Sequence, residues 1–236
     1  MILITRPKKD SQELQKKLKK IKINSLIQEL SIFKISKSRI DLSNSIILIT
    51  SSRSIDFLLK SKTLETCKQS KFLVIGKSTA KRLTQLGCKH IVVSANDSKD
   101  LIEKSKSIIK KKEIIKFLSS NIYNKELVKA LKKMSYDVKL FQVYETHSIK
   151  KLKKSVINNL RSHKLIAAVF FSQFSLNTFF HLCRNENIER SSLKKLHYIC
   201  ISRRVADQAI RSGYNVYLSD KPTKESIFKV IRRLNT

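Results

Sequence analysis

Short apolar runs alternate along this chain with longer stretches in which apolar residues recur every three or four positions. The first pattern predicts strands and the second helices. Ile2 to Thr5 reads as a strand, ended by Arg6-Pro7 because proline fixes φ and lacks the N–H of a central ladder. Asp10 or Ser11 then caps a helix to about Lys20, with Leu14 and Leu18 on its buried stripe. Ile23 to Phe33 is the next extended segment. Ile46 to Thr50 is a continuous, largely β-branched run, which suits a strand buried on both faces of a parallel sheet. Ser51-Ser52-Arg53-Ser54 turns it into a helix opened by Ile55, Phe57, Leu58 and Leu59.

That unit of strand, polar turn and helix recurs. Phe72 to Ile75 leads through Gly76-Lys77-Ser78-Thr79 into Ala80 to Leu86, where Gly87 stops the helix. His90 to Val93 leads through Asn96-Asp97-Ser98 into a helix carrying Leu101 and Ile102. Ile114 to Leu118 leads through a Ser119-Ser120-Asn121 turn into Lys125 to Met134. Val138 to Tyr144 is extended and ends at Glu145-Thr146-His147, and Lys150 to Arg161 is a basic helix. Ile166 to Phe171 leads through Ser172 into a helix to about Cys183, and Tyr198 to Ile201 leads through Ser202-Arg203-Arg204 into Val205 to Arg211. Val216 to Leu218 is the last strand, and Pro222-Thr223 caps a helix to about Leu234. Alternation of this kind predicts an α/β fold of parallel βαβ units with right-handed crossovers.

The units also repeat as sequence. FLVIGKSTAKRLTQLGCKHIVV (72–93) aligns without gaps on YICISRRVADQAIRSGYNVYLS (198–219), with Ala80 on Ala206 and Gly87 on Gly213. IILITSSRSIDFLL (46–59) parallels AAVFFSQFSLNTFF (167–180), and Ile2 to Phe33 matches Ile114 to Phe141 in kind. One half therefore has its first unit at the N-terminus, and the other has the counterpart in mid-chain. This order predicts two similar parallel-sheet domains joined by a two-strand hinge, with a cleft between them. The chain would start in domain 1 (residues 1–34 plus 148–236) and build domain 2 (residues 35–147) before returning.

Ligands of open α/β sheets bind beyond the carboxyl ends of the strands. Those ends carry Thr5-Arg6, Ser51-Ser52, Ser78-Thr79, Ser119-Ser120, Ser172 and Ser202-Arg203. Each precedes a predicted helix N-terminus, whose free N–H groups and dipole favour carboxylate or phosphate. Any one of these hydroxyls alone is an ordinary cap. A row of them at one sheet edge is a candidate anion site.

Fifty Lys+Arg against 18 Asp+Glu give a formal charge of +32. That charge fits nucleic acid, an anionic small substrate, or only a lysine-rich solvated surface. Few aromatics interleave with the basic runs in the manner of RNA-binding sheets. Nucleic-acid binding without catalysis is the alternative reading, and a two-domain periplasmic-type binder is a third. Cys67, Cys88, Cys183 and Cys200 form no C-x-x-C pair, and the five histidines show no ligand spacing, so neither a metal site nor a disulfide is expected. The N-terminus lacks the pattern of a signal peptide, which with the spaced thiols points to the cytoplasm and to no membrane partner.

On these residues the chain resembles the uroporphyrinogen-III synthase family. The likeness runs in order through Thr5-Arg6-Pro7, Thr50-Ser51-Ser52, Val74-Ile75-Gly76 with Thr79-Ala80, Val143-Tyr144, Phe170-Phe171-Ser172 with Ser175, and Ile201-Ser202 with Val205-Ala206. The resemblance implies two flavodoxin-like domains and a lyase; a monomer is expected, because a hinge-closing enzyme needs no partner. Its substrate would be hydroxymethylbilane, an open tetrapyrrole with acetate and propionate arms. The hydroxyl would leave as water and the macrocycle close with the last ring inverted, without cofactor or metal. It also implies that Tyr144 is the catalytic residue. A phenol keeps its proton at neutral pH and can hydrogen-bond the departing oxygen. Arg6, Ser51, Ser52, Ser78, Thr79, Ser119, Ser172, Ser175, Ser202 and Arg203 would bind the substrate. Two departures stand out: Ser119-Ser120 replaces an Arg-Gly pair, and glycine is missing beside Ser202.

Overall fold

The computed structural model describes residues 1–43 and 45–234. The chain forms two compact units, one of Met1–Ile32 with the chain from His147 onward, the other of Phe33–Thr146. In chain order the elements begin with β1 (Ile2–Ile4), α1 (Lys8–Lys20), β2 (Ser25–Ile27), β3 (Ser31–Ile35), β4 (Ile46–Ile49), α2 (Ser52–Lys60), α3 (Leu64–Cys67) and β5 (Lys71–Ile75). They continue with α4 (Lys77–Gln85), β6 (Ile91–Ala95), α5 (Ser98–Ser105), β7 (Ile114–Ser120), α6 (Lys125–Lys133), β8 (Asp137–Ser148) and α7 (Lys154–Arg161). They end with β9 (Ala167–Phe170), α8 (Gln173–Asn185), α9 (Arg190–Lys195), β10 (His197–Cys200), α10 (Arg203–Arg211), β11 (Asn215–Leu218) and α11 (Lys224–Arg233).

The first unit holds a five-stranded sheet ordered β11-β10-β9-β1-β2, and the second a six-stranded sheet ordered β3-β8-β7-β4-β5-β6. Strands β1, β2, β9, β10 and β11 pair in parallel, as do β4, β5, β6, β7 and β8. Taken from the edge inward, β2-β1-β9-β10-β11 is a flavodoxin-like order. The second sheet repeats it as β8-β7-β4-β5-β6, with β3 added at its edge. The spatial order is the same and the chain order is circularly permuted, as the sequence repeat requires.

Side-chain alternation across the strands explains the layers. Leu3, Ala168, Phe170, Tyr198 and Cys200 share one core with α7, α8, α9 and α10. Ile2, Ile4, Ala167, Val169 and Ile199 share another with Leu14 and Leu18 of α1 and Ile227, Val230 and Ile231 of α11. In the second unit Ile47, Ile49, Phe72 and Val74 pack with α2 and α4. Ile46, Leu48, Leu73 and Phe117 pack with α5 and α6. Helices change sides between β1 and β9 in the first sheet and between β7 and β4 in the second.

Several predicted boundaries move. Helix α1 starts at Lys8 with Pro7 at the cap position, so neither Asp10 nor Ser11 caps it; the Ser11 hydroxyl instead donates to the Arg6 carbonyl, 2.9 Å away. The extended segment 23–33 is two strands, β2 and β3, in different sheets. Strand β8 runs on through Glu145-Thr146-His147 to Ser148. Helix α7 starts at Lys154 rather than Lys150. The short helices α3 and α9 lie in stretches where the apolar periodicity predicts no element.

Candidate active site

In the first unit the switch of helix sides falls between the ends of β1 and β9. Here the Thr5 hydroxyl donates to the Val169 carbonyl at 2.6 Å, which ties the two strand ends together. The Arg6 guanidinium lies over the Phe171 ring, 4.8 Å from its centroid, and 3.7 Å from the Asp10 carboxylate. Ser172 caps α8 through its Oγ, which accepts from the Ser175 N–H at 3.1 Å. The two hydroxyls are 2.8 Å apart, and Ser175 is buried. Ser202 occupies the cap position of α10 in extended backbone, but its side chain makes no capping bond. Arg203 opens that helix, exposed, with its Nε 3.4 Å from Asp207.

In the second unit Ser51 caps α2, its Oγ accepting from the Arg53 N–H at 3.2 Å. Ser52 is the first residue of the helix, and its carbonyl accepts from Arg82 at 3.2 Å. Asp56 then divides its two oxygens between two cations: Oδ2 lies 3.0 Å from Arg53 and Oδ1 2.7 Å from Arg82. The Arg53 guanidinium also lies 4.6 Å from the centroid of the Phe33 ring. Phe33 in turn meets Tyr144 edge-on, with ring centroids 6.3 Å apart. A half-buried cation, an aromatic ring and the phenol thus stand in one run on β3, α2 and β8. Each unit therefore carries an arginine stacked on phenylalanine at the carboxyl end of its sheet and paired with an aspartate one turn along.

The structure moves two of the expected anion positions. Helix α4 begins at Lys77, with Gly76 at its cap in the left-handed region (φ 98°) and no side-chain cap. Ser78 and Thr79 are therefore first-turn residues, Ser78 exposed and Thr79 buried. Ser119 is no turn residue. It lies inside β7, is buried, and its hydroxyl is 3.5 Å from the Phe141 carbonyl. The cap of α6 is Asn124, whose Oδ1 accepts from Glu126 and Leu127 at 3.2 and 3.3 Å. The reason is pairing: Ser119 lies opposite Gln142 and Ser120 opposite Tyr144 of β8, which keeps the strand extended for two more residues before the chain turns.

Tyr144 is buried at 8% exposure and lies opposite Ser120, after a bulge that skips one residue of β8 between Ser119 and Ser120. Its environment differs from that of the structural tyrosines. Tyr136 and Tyr198 donate their hydroxyls to backbone carbonyls, at 3.2 Å to Ser105 and 3.1 Å to Leu193. Burial raises the pKa of both phenols. Sequence reasoning missed Arg53, Asp56, Arg82 and Phe33. Arg53 and Asp56 could have been found as an i,i+3 pair behind a cap serine; Arg82 and Phe33 carry no local signal. Among the described residues no group of three or more His, Cys, Asp or Glu could hold a metal ion.

Fold and site together define an α/β protein of two flavodoxin-like units whose sheet ends carry hydroxyls and arginines. The sequence profile of Uroporphyrinogen-III synthase HemD matches residues 21–229. The chain belongs to that family and is an enzyme of tetrapyrrole (haem) synthesis. No curated protein matches it by sequence. Among solved structures it is similar to uroporphyrinogen-III synthetase from Helicobacter pylori, at 20% identity over 99% of this chain and 98% of that one, TM-score 0.68. It is also similar to a mutant uroporphyrinogen III synthase from the extremely thermophilic bacterium Thermus thermophilus, at 13% identity over 100% and 97%, TM-score 0.66. Both are likenesses of fold. The family match does not favour the nucleic-acid reading of the charge, and no helix among the described residues is long and apolar enough to cross a membrane.

Proposed function

We propose that this chain is a hydro-lyase that cyclises hydroxymethylbilane to uroporphyrinogen III. The carbon–oxygen bond of the terminal hydroxymethyl group breaks as Tyr144 hydrogen-bonds and protonates the departing oxygen. A stabilised azafulvene cation remains. The last pyrrole attacks it through its already substituted α-carbon to give a spiro centre; the bond from that carbon to the neighbouring methylene bridge then breaks and re-forms at the ring's free α-carbon, so the ring is inverted as the macrocycle closes. The proton that this ring finally loses balances the one supplied at the start, so one water leaves per turnover. There is no change of redox state, so the chemistry calls for no redox cofactor.

The observation that carries this reading is the run Arg53, Phe33, Tyr144. A proton donor is most useful where water is scarce, and a fixed cation beside it can hold a carboxylate of the substrate. Arg6 over Phe171 supplies a second fixed cation, and the capped N-termini of α2 and α8 supply backbone N–H groups. On this reading Ser52, Ser78, Thr79, Ser119, Ser175, Ser202 and Arg203 line the substrate site with Arg6, Ser51 and Ser172. The two units correspond to the domains expected from the sequence at 1–34 plus 148–236 and 35–147. The enzyme acts as a cytoplasmic monomer, which its four free, buried thiols suit.

The reaction has a built-in control, because the bilane also cyclises unaided to the type I isomer. Purified protein given hydroxymethylbilane is expected to yield the type III isomer. Type I alone, at the rate seen without protein, would sink the proposal.

A further inference from the structure

We propose that the first unit carries a binding surface for the phosphate backbone of double-helical nucleic acid. The surface lies at the opposite end of its sheet from Thr5, Arg6 and Ser172, and it does not rest on the reading of Tyr144. In a parallel α/β sheet each helix runs back against its strands, so helix C-termini gather at the amino ends of the strands. Here α7, α9 and α10 lead into the amino ends of β9, β10 and β11, and α8 leads into α9. The last turns of these four helices carry Arg161, Arg184, Lys194 with Lys195, and Arg211. Hydrogen bonds make these ends neighbours. Arg161 donates to the Glu186 carbonyl at 2.9 Å, just past α8, and Arg190 of α9 donates to the Ser212 carbonyl at 3.4 Å, just past α10. Asn215, which opens β11, donates to the Lys194 carbonyl at 3.2 Å. All six cations are exposed.

A basic last turn is ordinary, since a cation there complements the helix dipole. The lack of compensation is not. At the carboxyl end of the same sheet Arg6 pairs with Asp10 and Arg203 with Asp207. Among the described residues none of the six cations at the amino end is ion-paired. Glu186 and Glu189 lie between them in sequence, and Glu189 accepts instead from the Ser191 hydroxyl at 2.8 Å. From Thr146 to Asn185 the chain has no acidic residue. Crowded cations repel one another, and a polyanion relieves that repulsion while releasing its counterions. Four of the six are arginines, whose forks match phosphate, and the carbonyl bonds of Arg161 and Arg190 fix two of those forks in place. Residues 184–195 supply four of the six and contain no aromatic ring for a base to stack on, which favours the outside of a duplex over an open single strand. Among the described residues Ile166 is the one exposed large apolar side chain in the loops that lead into these strands, too little for seating in a bilayer.

The test is fluorescence anisotropy of the full chain with a labelled RNA duplex, a DNA duplex of the same sequence, and phosphatidylglycerol vesicles as a third arm. Duplex binding is expected with a Kd of about 10⁻⁵ M at about 0.15 M salt, and with a log–log salt slope of about −4 to −5, as about five neutralised phosphates require. The RNA and DNA arms tell which nucleic acid the surface fits, and binding of either that the variant loses supports the proposal. That variant is Arg184→Glu with Lys194→Glu and Lys195→Glu, three side chains without hydrogen bonds among the described residues. It is expected to weaken duplex binding at least about tenfold and to flatten the slope by about 3, with kcat and the urea midpoint unchanged. Lys89→Glu with Lys110→Glu and Lys111→Glu removes the same charge from exposed positions of the second unit. It is expected to weaken binding less than about threefold, because screening confines surface charges to their neighbourhood. Equal weakening by the two triple variants would assign binding to net charge and overturn the surface. So would failure to bind either duplex, or tighter binding to the vesicles than to both.

Discussion

Tyr144 and Tyr198 are both buried phenols, but their surroundings differ. Tyr198 stacks against Phe170 and Tyr214 and gives its proton to a backbone carbonyl, as a core tyrosine should. Tyr144 meets Phe33, which carries the guanidinium of Arg53. Tyr144→Phe is therefore expected to cut kcat by about 10²-fold, the lower end of what a positioned proton donor contributes, while leaving urea stability nearly unchanged. The thiols make a second residue-scale prediction. Burial pushes Cys67, Cys183 and Cys200 up to about 12 from 9.0. The folded state thus holds protons that the unfolded chain releases above its thiol pKa. Their contribution to stability is complete below about pH 9 and is lost as pH rises from there toward 12. Urea midpoints measured from pH 8 to pH 10.5 are expected to fall, and the fall should shrink in a variant with these cysteines changed to alanine or valine. At this scale the strand ends of the sequence marked Arg6 and the cap serines, and the family resemblance marked Tyr144. Neither marked Arg82, whose partner Asp56 lies on another helix.

Elements differ in how their first turn is held. Ser172 and Ser51 accept backbone N–H groups, whereas Ser202 occupies the same position without a bond. Ser172→Ala is expected to destabilise the protein by about 1 kcal/mol and Ser202→Ala by a few tenths at most, measured by urea unfolding. Gly76 is a different case, since its φ of 98° disfavours any side chain; Gly76→Ala is expected to cost about 1 kcal/mol or more, although the added carbon meets only the Thr79 hydroxyl at 3.5 Å. The apolar periodicity located the strands and most of the helices, because both are driven by one buried face. It placed helix starts two or three residues late at α2, α4 and α10, because the polar first turn of a helix looks like a loop until a cap is seen. It ended β7 two residues early, since Ser119 and Ser120 read as turn residues and only pairing with β8 keeps them extended.

The whole molecule carries a charge of +32 and, on the proposed function, takes a substrate bearing a carboxylate on every arm. Opposite charges of that size accelerate encounter more than they hold the complex. Raising ionic strength from about 0.01 to about 0.15 M shortens the screening length from about 30 to about 8 Å. kcat/KM is therefore expected to fall several-fold over that range while kcat stays nearly constant; an unchanged kcat/KM would assign the charge to solvation alone. The sequence by itself determined the repeat and its permuted order, and hence two sheets of one strand order, because buried strands must be apolar and helix stripes periodic wherever they fall in the chain. It also determined which strand ends carry hydroxyls and cations. Only the tertiary structure decided which of those groups meet. Arg53 and Asp56 come from α2, Arg82 from α4, Phe33 from β3 and Tyr144 from β8, and Asn121 reaches Thr146 across 25 positions. Such contacts are set by strand order and register, and a chain read one window at a time contains neither.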